Sequence, residues 1–380
     1  MKKNLMLGLL CSAIVLGLGA CQKPAANQHG NVPVASKAAE EKVLYVFNWS
    51  DYIDPDVVAA FTKETGIKVV YDTFDSSETL EARLLAGGSG YDIVVPGAPF
   101  LGRQIQAGVF RPLDKPQLKN WGNLDSETMK LLATYDPGNQ YAIPYMWGTT
   151  GIGYDVDKVQ ARLGKNVALD SYEILFKPEN LAKLKDCGVS FLDAPGEVMA
   201  AALNYLGKSP ASLVEADYQA AEKLLTGVRP YVTNFNNMQA NELATGDVCI
   251  VLGWSGDIAQ AAARATDAKN GIHIQYAIPR EGTEVWIDTL AIPKDAPHPG
   301  NAARFIDYIM RPEVAAKITN FVAYPNGNAA ALKFVLPEIA SNQAIYPGPA
   351  LPARLYTVPV MPDNIDRIIT RSWTRMKTGH

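Results

Sequence analysis

Histidine is scarce in this chain, with 4 widely scattered in 380 residues. No His-x-x-x-His or Cys-x-x-Cys pair occurs. That pattern argues against a metal site, and no cofactor is expected. A large excess of one charge is also missing. The formal net charge is −4, which argues against nucleic-acid binding and only weakly favours a cationic ligand. Nowhere is there an apolar run long enough to span a bilayer comfortably. Cysteine is sparse as well, with 4 in all.

What is present begins at the N-terminus. Lys2 and Lys3 form a basic start, and Leu5 to Gly19 is a short apolar run. Leu18-Gly19-Ala20-Cys21 then sets small residues before a cysteine. This has the form of a lipoprotein signal over residues 1–20, cleaved before Cys21, with lipid on its sulfur. Residues 21–42 are rich in Ala, Pro, Asn, Gln, Lys and Glu without periodicity, and read as a lipidated disordered tether. Cys11 leaves with the signal, so Cys187 and Cys249 remain. In an oxidising compartment they invite a disulfide, and two buried free thiols are the alternative.

At 380 residues the chain is long for one core and suits two lobes. From Val43 it alternates between strand and helix. Val43 to Phe47 is an apolar strand, and Asp54-Pro55-Asp56 starts a helix that Gly66 ends. Ile67 to Tyr71 and Tyr91 to Val95 are further strands. The run Gly87-Gly88-Ser89-Gly90 precedes its strand, whereas a phosphate loop follows one, so it reads as a turn. Tyr141 to Tyr154 reads as two extended pieces broken by a Gly/Thr-rich turn, a crossover between lobes. A second block places strands at 188–192, 248–252 and 272–279, then at 289–293 after Trp286-Ile287-Asp288. The expected division is 43–148 with 264–322 as one lobe, and 149–263 with 323–380 as the other.

Two turns repeat one design. Asn48-Trp49-Ser50-Asp51-Tyr52 and Gly253-Trp254-Ser255-Gly256-Asp257 each follow a strand and precede a helix. In open α/β sheets ligands bind at the carboxyl ends of strands. These turns offer acids and rings rather than the bare amides of an anion site. Glu197, Trp286, Asp288 and Tyr324 fall at comparable places. Singly, Asp257 and Glu197 read equally well as helix caps, and Trp254 and Tyr324 as packing. Gly97 and Pro99 read as shaping the backbone. Taken together, the acids would each hold an ammonium group. The rings would attract the cationic ends and cover an alkyl chain between them, by about 0.5–2 kcal/mol per contact. The chemistry fits a linear polyamine.

The motifs just quoted resemble those of bacterial periplasmic spermidine/putrescine-binding proteins, the solute receptors of ATP-driven importers. Tyr71-Asp72-Thr73-Phe74-Asp75-Ser76, Tyr91-Asp92-Ile93-Val94-Val95-Pro96 and Pro144-Tyr145-Met146-Trp147-Gly148-Thr149 add to the resemblance, as does Thr370-Arg371-Ser372-Trp373-Thr374. It covers about Val43 to the C-terminus. It implies an α/β, two-lobed clamshell of type II, with mixed central sheets and hinge crossovers. It implies a slot lined by Trp49, Ser50, Asp51 and Tyr52 from one lobe and by Glu197, Trp254 and Asp257 from the other. Trp286, Asp288 and Tyr324 would complete the slot. It also implies a disulfide between Cys187 and Cys249, an ABC permease and its ATPase as partners, a monomer, and a periplasmic location in a Gram-negative cell. Two departures stand out. Relatives commonly carry serine near Gly97, and putrescine-preferring ones tend to have phenylalanine where this chain has Trp286. The larger ring favours spermidine, with putrescine as the alternative.

Other functions fit less well. Gly253-Trp254-Ser255-Gly256-Asp257 approaches the Gly-x-Ser-x-Gly elbow, but Asp257 takes the last glycine's place, and no enzyme is expected. An amino-acid receptor would want an arginine for the carboxylate. An iron receptor would want paired tyrosines with an anion partner. A polyamine sensor feeding a signalling protein, or a receptor for another cationic solute, remains as the alternative.

Overall fold

The computed structural model describes residues 40–347 and 354–379. The expected signal, its cleavage site, the lipid at Cys21 and the tether up to residue 39 lie outside them. The tether was expected to reach residue 42, but its last residues, 40–42, are hydrogen-bonded to later parts of the chain. The Glu40 carboxylate accepts the N–H groups of Gly300 (3.0 Å) and Asn301 (2.9 Å). These amides open the helix Pro299–Ile309, where unpaired N–H groups favour an anion.

Ten strands are formed among the described residues: β1 Val43–Trp49, β2 Lys68–Phe74, β3 Ile93–Val94, β4 Ala142–Asp155, β5 Val189–Phe191, β6 Asn234–Phe235, β7 Ile250–Trp254, β8 Ile274–Ala277, β9 Thr283–Ala291 and β10 Leu355–Tyr356. They join in the order β2-β1-β3-β9-β4-β7-β5-β6, with β10 beside β9 and β8 beside β4. β1 is parallel to β2 and β3, and β5 is parallel to β6 and β7. Helices return each chain segment to the next parallel strand, as parallel pairing requires. This is the expected mixed α/β architecture of two lobes.

The first helix, Pro55–Thr65, follows its sequence signals. Asp54 accepts the Asp56 N–H at 2.8 Å, and Gly66 closes the helix in the left-handed region. Its buried face, Val57 and Phe61, joins Leu44, Val46, Ile93 and Phe305 in the first lobe's core. The second lobe's core gathers Val189, Phe191, Ile250 and Leu252 with Trp373 of the C-terminal helix Asp363–Thr378. Each such large apolar side chain contributes about 1.5–3 kcal/mol by leaving water.

The crossover differs from expectation. β4 is one unbroken strand of 14 residues, without a turn at 148–151. Its first half pairs β9, and its second half pairs β7 and β8. Gly148 reads as a breaker in isolation, but it is there for a neighbour. A Cβ on Gly148 would lie 2.5 Å from the Trp286 ring. β9 likewise begins at Thr283, so Trp286 and Asp288 lie within a strand rather than before one.

Packing contacts cross the expected lobe boundaries at 263/264 and 322/323. The helix Ser255–Ala268 runs through residue 264, and its Ile258, Ala261 and Ala265 pack with Val251 and Ile274. Ala265 and Ile274 thus pack with Val248 and Val251 of the second block. Tyr324 belongs to the first core, and Ala331 and Val335 pack on Ala315 and Ala316. Cys187 and Cys249 are disulfide-bonded. The bond ties the entries of neighbouring β5 and β7, and its 62-residue separation limits its contribution to about 4 kcal/mol. Among the described residues no helix is long and apolar enough to cross a membrane.

Candidate functional site

A cavity of about 1120 Å³ lies where the two blocks meet, and all ten candidate residues named above line it. Among the described residues, eleven acids and three arginines contribute to its wall, and no lysine does. Arg103 is already bound, through both its fork nitrogens to Glu81 (3.0 and 3.1 Å) and through a third to Asp366.

Asp288 and Asp257 both line it, from β9 and from the helix Ser255–Ala268. Asp288 projects from β9, is buried, and accepts the Tyr52 hydroxyl at 2.8 Å. Tyr145 holds that tyrosine's backbone through a 2.6 Å bond to the Tyr52 carbonyl. Asp257 sits in the first turn of the helix Ser255–Ala268 and accepts the Tyr324 hydroxyl at 2.8 Å. The Asp257 N–H returns to the same oxygen at 3.0 Å. Gly256 makes this possible, since a Cβ there would meet the Tyr324 ring at 2.5 Å. Each carboxylate is thus fixed by one phenol. Burial raises Asp288 to about 7, against the opposing effect of the Tyr52 bond. Burial raises Asp257 to about 6, with the Tyr324 bond and Arg264 opposing. Asp288 is buried, while Asp257 is half-buried with the charge of Arg264 partly offsetting its loss of water.

Glu197, in the first turn of the helix Pro195–Tyr205, accepts Trp254 Nε1 at 2.9 Å and the Thr150 hydroxyl at 2.5 Å. Neither Glu197 nor Asp257 caps its helix: the cap positions are Ala194 and Trp254, without side-chain bonds. Asp51 differs from the other acids. It takes a left-handed backbone (φ 53), which aspartate tolerates better than most residues. Its carboxylate meets Arg264 at 2.9 Å, from the other block. Such an exposed pair contributes about 0–1 kcal/mol. Ser50 lies exposed at the same turn.

Rings form the walls. Tyr324 meets Tyr52 and Trp286 edge-on, with centroids 5.3 and 5.4 Å apart. Trp49 and Trp254 approach edge-on from opposite blocks at 5.9 Å. Gly97 backs Asp288, where an added Cβ would lie 3.4 Å from Oδ1. Ser255 is buried and accepts the Thr149 N–H, so the turn is no nucleophile elbow.

Glu284 was missed in the sequence. It lines the cavity, is buried, and lies on β9 in alternation with Trp286 and Asp288. Alternate residues of a strand share a face. That period of two was the available signal.

The family described as bacterial extracellular solute-binding protein matches residues 56–347. The chain is 53% identical over 350 residues to the putrescine-binding periplasmic protein PotF of Escherichia coli (strain K12), covering 92% of this chain and 95% of that one. It is 52% identical over 351 residues to the putrescine-binding periplasmic protein SpuD of Pseudomonas aeruginosa (strain UCBPP-PA14), covering 92% and 96%. Among solved structures, the spermidine/putrescine ABC transporter substrate-binding protein PotD of Streptococcus pneumoniae superposes with a TM-score of 0.72 at 26% identity, covering 89% of this chain and 99% of that one.

Proposed function

The chain belongs to the bacterial extracellular solute-binding proteins, a family of receptors rather than enzymes, and on that premise we propose that it captures a polyamine in the periplasm and delivers it to an ABC permease. The observation that carries this reading is the pair Asp257 and Asp288. They are phenol-anchored, come from opposite blocks, and face a ring-walled cavity to which no lysine among the described residues contributes. Each would neutralise one ammonium group, while Tyr52, Trp254, Trp286 and Tyr324 cover the methylenes. A ligand touching both blocks makes more contacts when they are closed, and so shifts the population towards that form. Trp49, Ser50 and Glu197 complete the slot. Asp51 serves chiefly to join the blocks through Arg264. We place the lobes at 43–147 with 285–347, and at 150–282 with the C-terminal helix. The lipid on Cys21 would hold the receptor to a membrane, and a Cys21→Ala variant should lose incorporation of labelled palmitate.

Kinship favours putrescine, for which the relatives at 53% and 52% identity are named. Trp286 is the observation that favours spermidine, since its larger face covers a longer, triply charged chain. Titration calorimetry with putrescine, spermidine and spermine tests the reading, and no heat with any of them would overturn it. Trp286→Phe should lower the affinity for spermidine more than for putrescine. The expected difference is roughly fivefold, from about 1 kcal/mol of ring contact.

A further inference from the structure

Resting on the polyamine reading, we infer that Glu284 forms a second terminal ammonium subsite, with Glu197 beside it, and that this subsite selects linear triamines over four-carbon diamines.

The placement comes from β9. Glu284, Trp286 and Asp288 alternate along one strand and all three line the cavity. Four residues of extended strand separate the Cα atoms of Asp288 and Glu284 by about 13 Å. A four-carbon diamine anchored at Asp288 is too short to cross that span, whereas a triamine reaches it. Trp286 stands midway, placed to cover the chain between its charged ends.

The chemistry comes from what Glu284 lacks. It is 5% exposed, and its Oε2 has no hydrogen-bond partner among the described residues. Two further buried polar atoms are without partners close by in the fold: Trp286 Nε1 on the same strand face, and the hydroxyl of Tyr356, which pairs with Glu284 across β10. Buried polar atoms are nearly always satisfied, so three together mark a place prepared for a ligand group. Burial, and after it the charge of a neighbouring carboxylate, Glu197, hold Glu284 well above the usual carboxylate range. A buried acid that feels the charge of a second, half-buried one without a cation costs stability. An ammonium between them removes the repulsion and supplies the missing donor.

The test is calorimetry of the purified protein with putrescine and spermidine, comparing wild type with Glu284→Gln and Glu284→Leu. Glu284→Gln keeps the shape and removes the charge, so folding is preserved. The expected result is that the ratio of spermidine to putrescine association constants falls about tenfold or more in both variants. A ratio unchanged within about twofold overturns the subsite, as does a fall of both affinities together with the melting temperature, the signature of a structural role. Wild type that binds neither amine overturns the polyamine reading itself, which is a different outcome from a variant whose selectivity stays put.

Discussion

Replacing Asp288 by asparagine should weaken polyamine binding by about two orders of magnitude, and should raise the melting temperature of the empty protein at pH 8. The first effect follows from removing the counter-charge of a desolvated ammonium, which costs about 3 kcal/mol or roughly 150-fold in affinity. The second follows from burial. Asp288 is 8% exposed, and burial holds its carboxyl near 7. At pH 8 the empty protein therefore keeps a carboxylate that would rather be neutral, and a neutral amide relieves this. The Tyr52 hydroxyl keeps an acceptor in the variant. Calorimetry and a thermal melt together decide the matter. A variant that loses affinity and also melts lower would make Asp288 structural. Asp257→Asn should show the same pairing at about tenfold, because Asp257 is less strongly perturbed.

Affinity should also fall about a thousandfold between pH 8 and pH 5. An ammonium group favours the ionised form of its partner, so binding at low pH must first remove protons from Asp288 and Asp257. With values near 7 and near 6 in the empty site, the first contributes about a hundredfold and the second about tenfold. The stability of the empty protein runs the other way. Both groups have folded values above their unfolded ones. Their stabilising contribution is complete below about pH 4 and disappears as pH rises through 6 and 7. The rise in melting temperature caused by ligand should thus be larger at pH 8 than at pH 5. Calorimetry in buffers of different ionisation enthalpy should record proton release near pH 6. A flat affinity from pH 5 to 8 would remove both carboxylates from the binding reaction.

Much of this site was legible before any coordinates. The clusters at 48–52 and 253–257 mix acids and rings where a strand gives way to a helix, and such turns collect at one edge of an open sheet. What escaped did so for identifiable reasons. Glu284 is the second residue of its strand, and glutamate is depleted in strands, so residues 283–287 did not read as one and its alternation with Trp286 and Asp288 went unseen. Gly148 read as a break because strands disfavour glycine, yet the Trp286 ring over it requires the missing side chain. Tyr324 read as capable of packing, and it does pack. Its second role, anchoring Asp257, depends on Gly256 and on long-range geometry that no local pattern encodes. The pairing of Asp51 with Arg264 joins residues more than two hundred positions apart and is likewise invisible locally.

Because β4 and β9 run side by side, hydrogen-bonded from Ala142 with Ala291 to Thr149 with Val285, the ribbon between the halves resists sliding. Shear would break a ladder of backbone bonds at about 1 kcal/mol each. Wringing the ribbon costs far less, since strands already coil and each residue absorbs a few degrees. Opening and shutting should therefore be a torsion shared along the pair, and no single residue should act as its pivot.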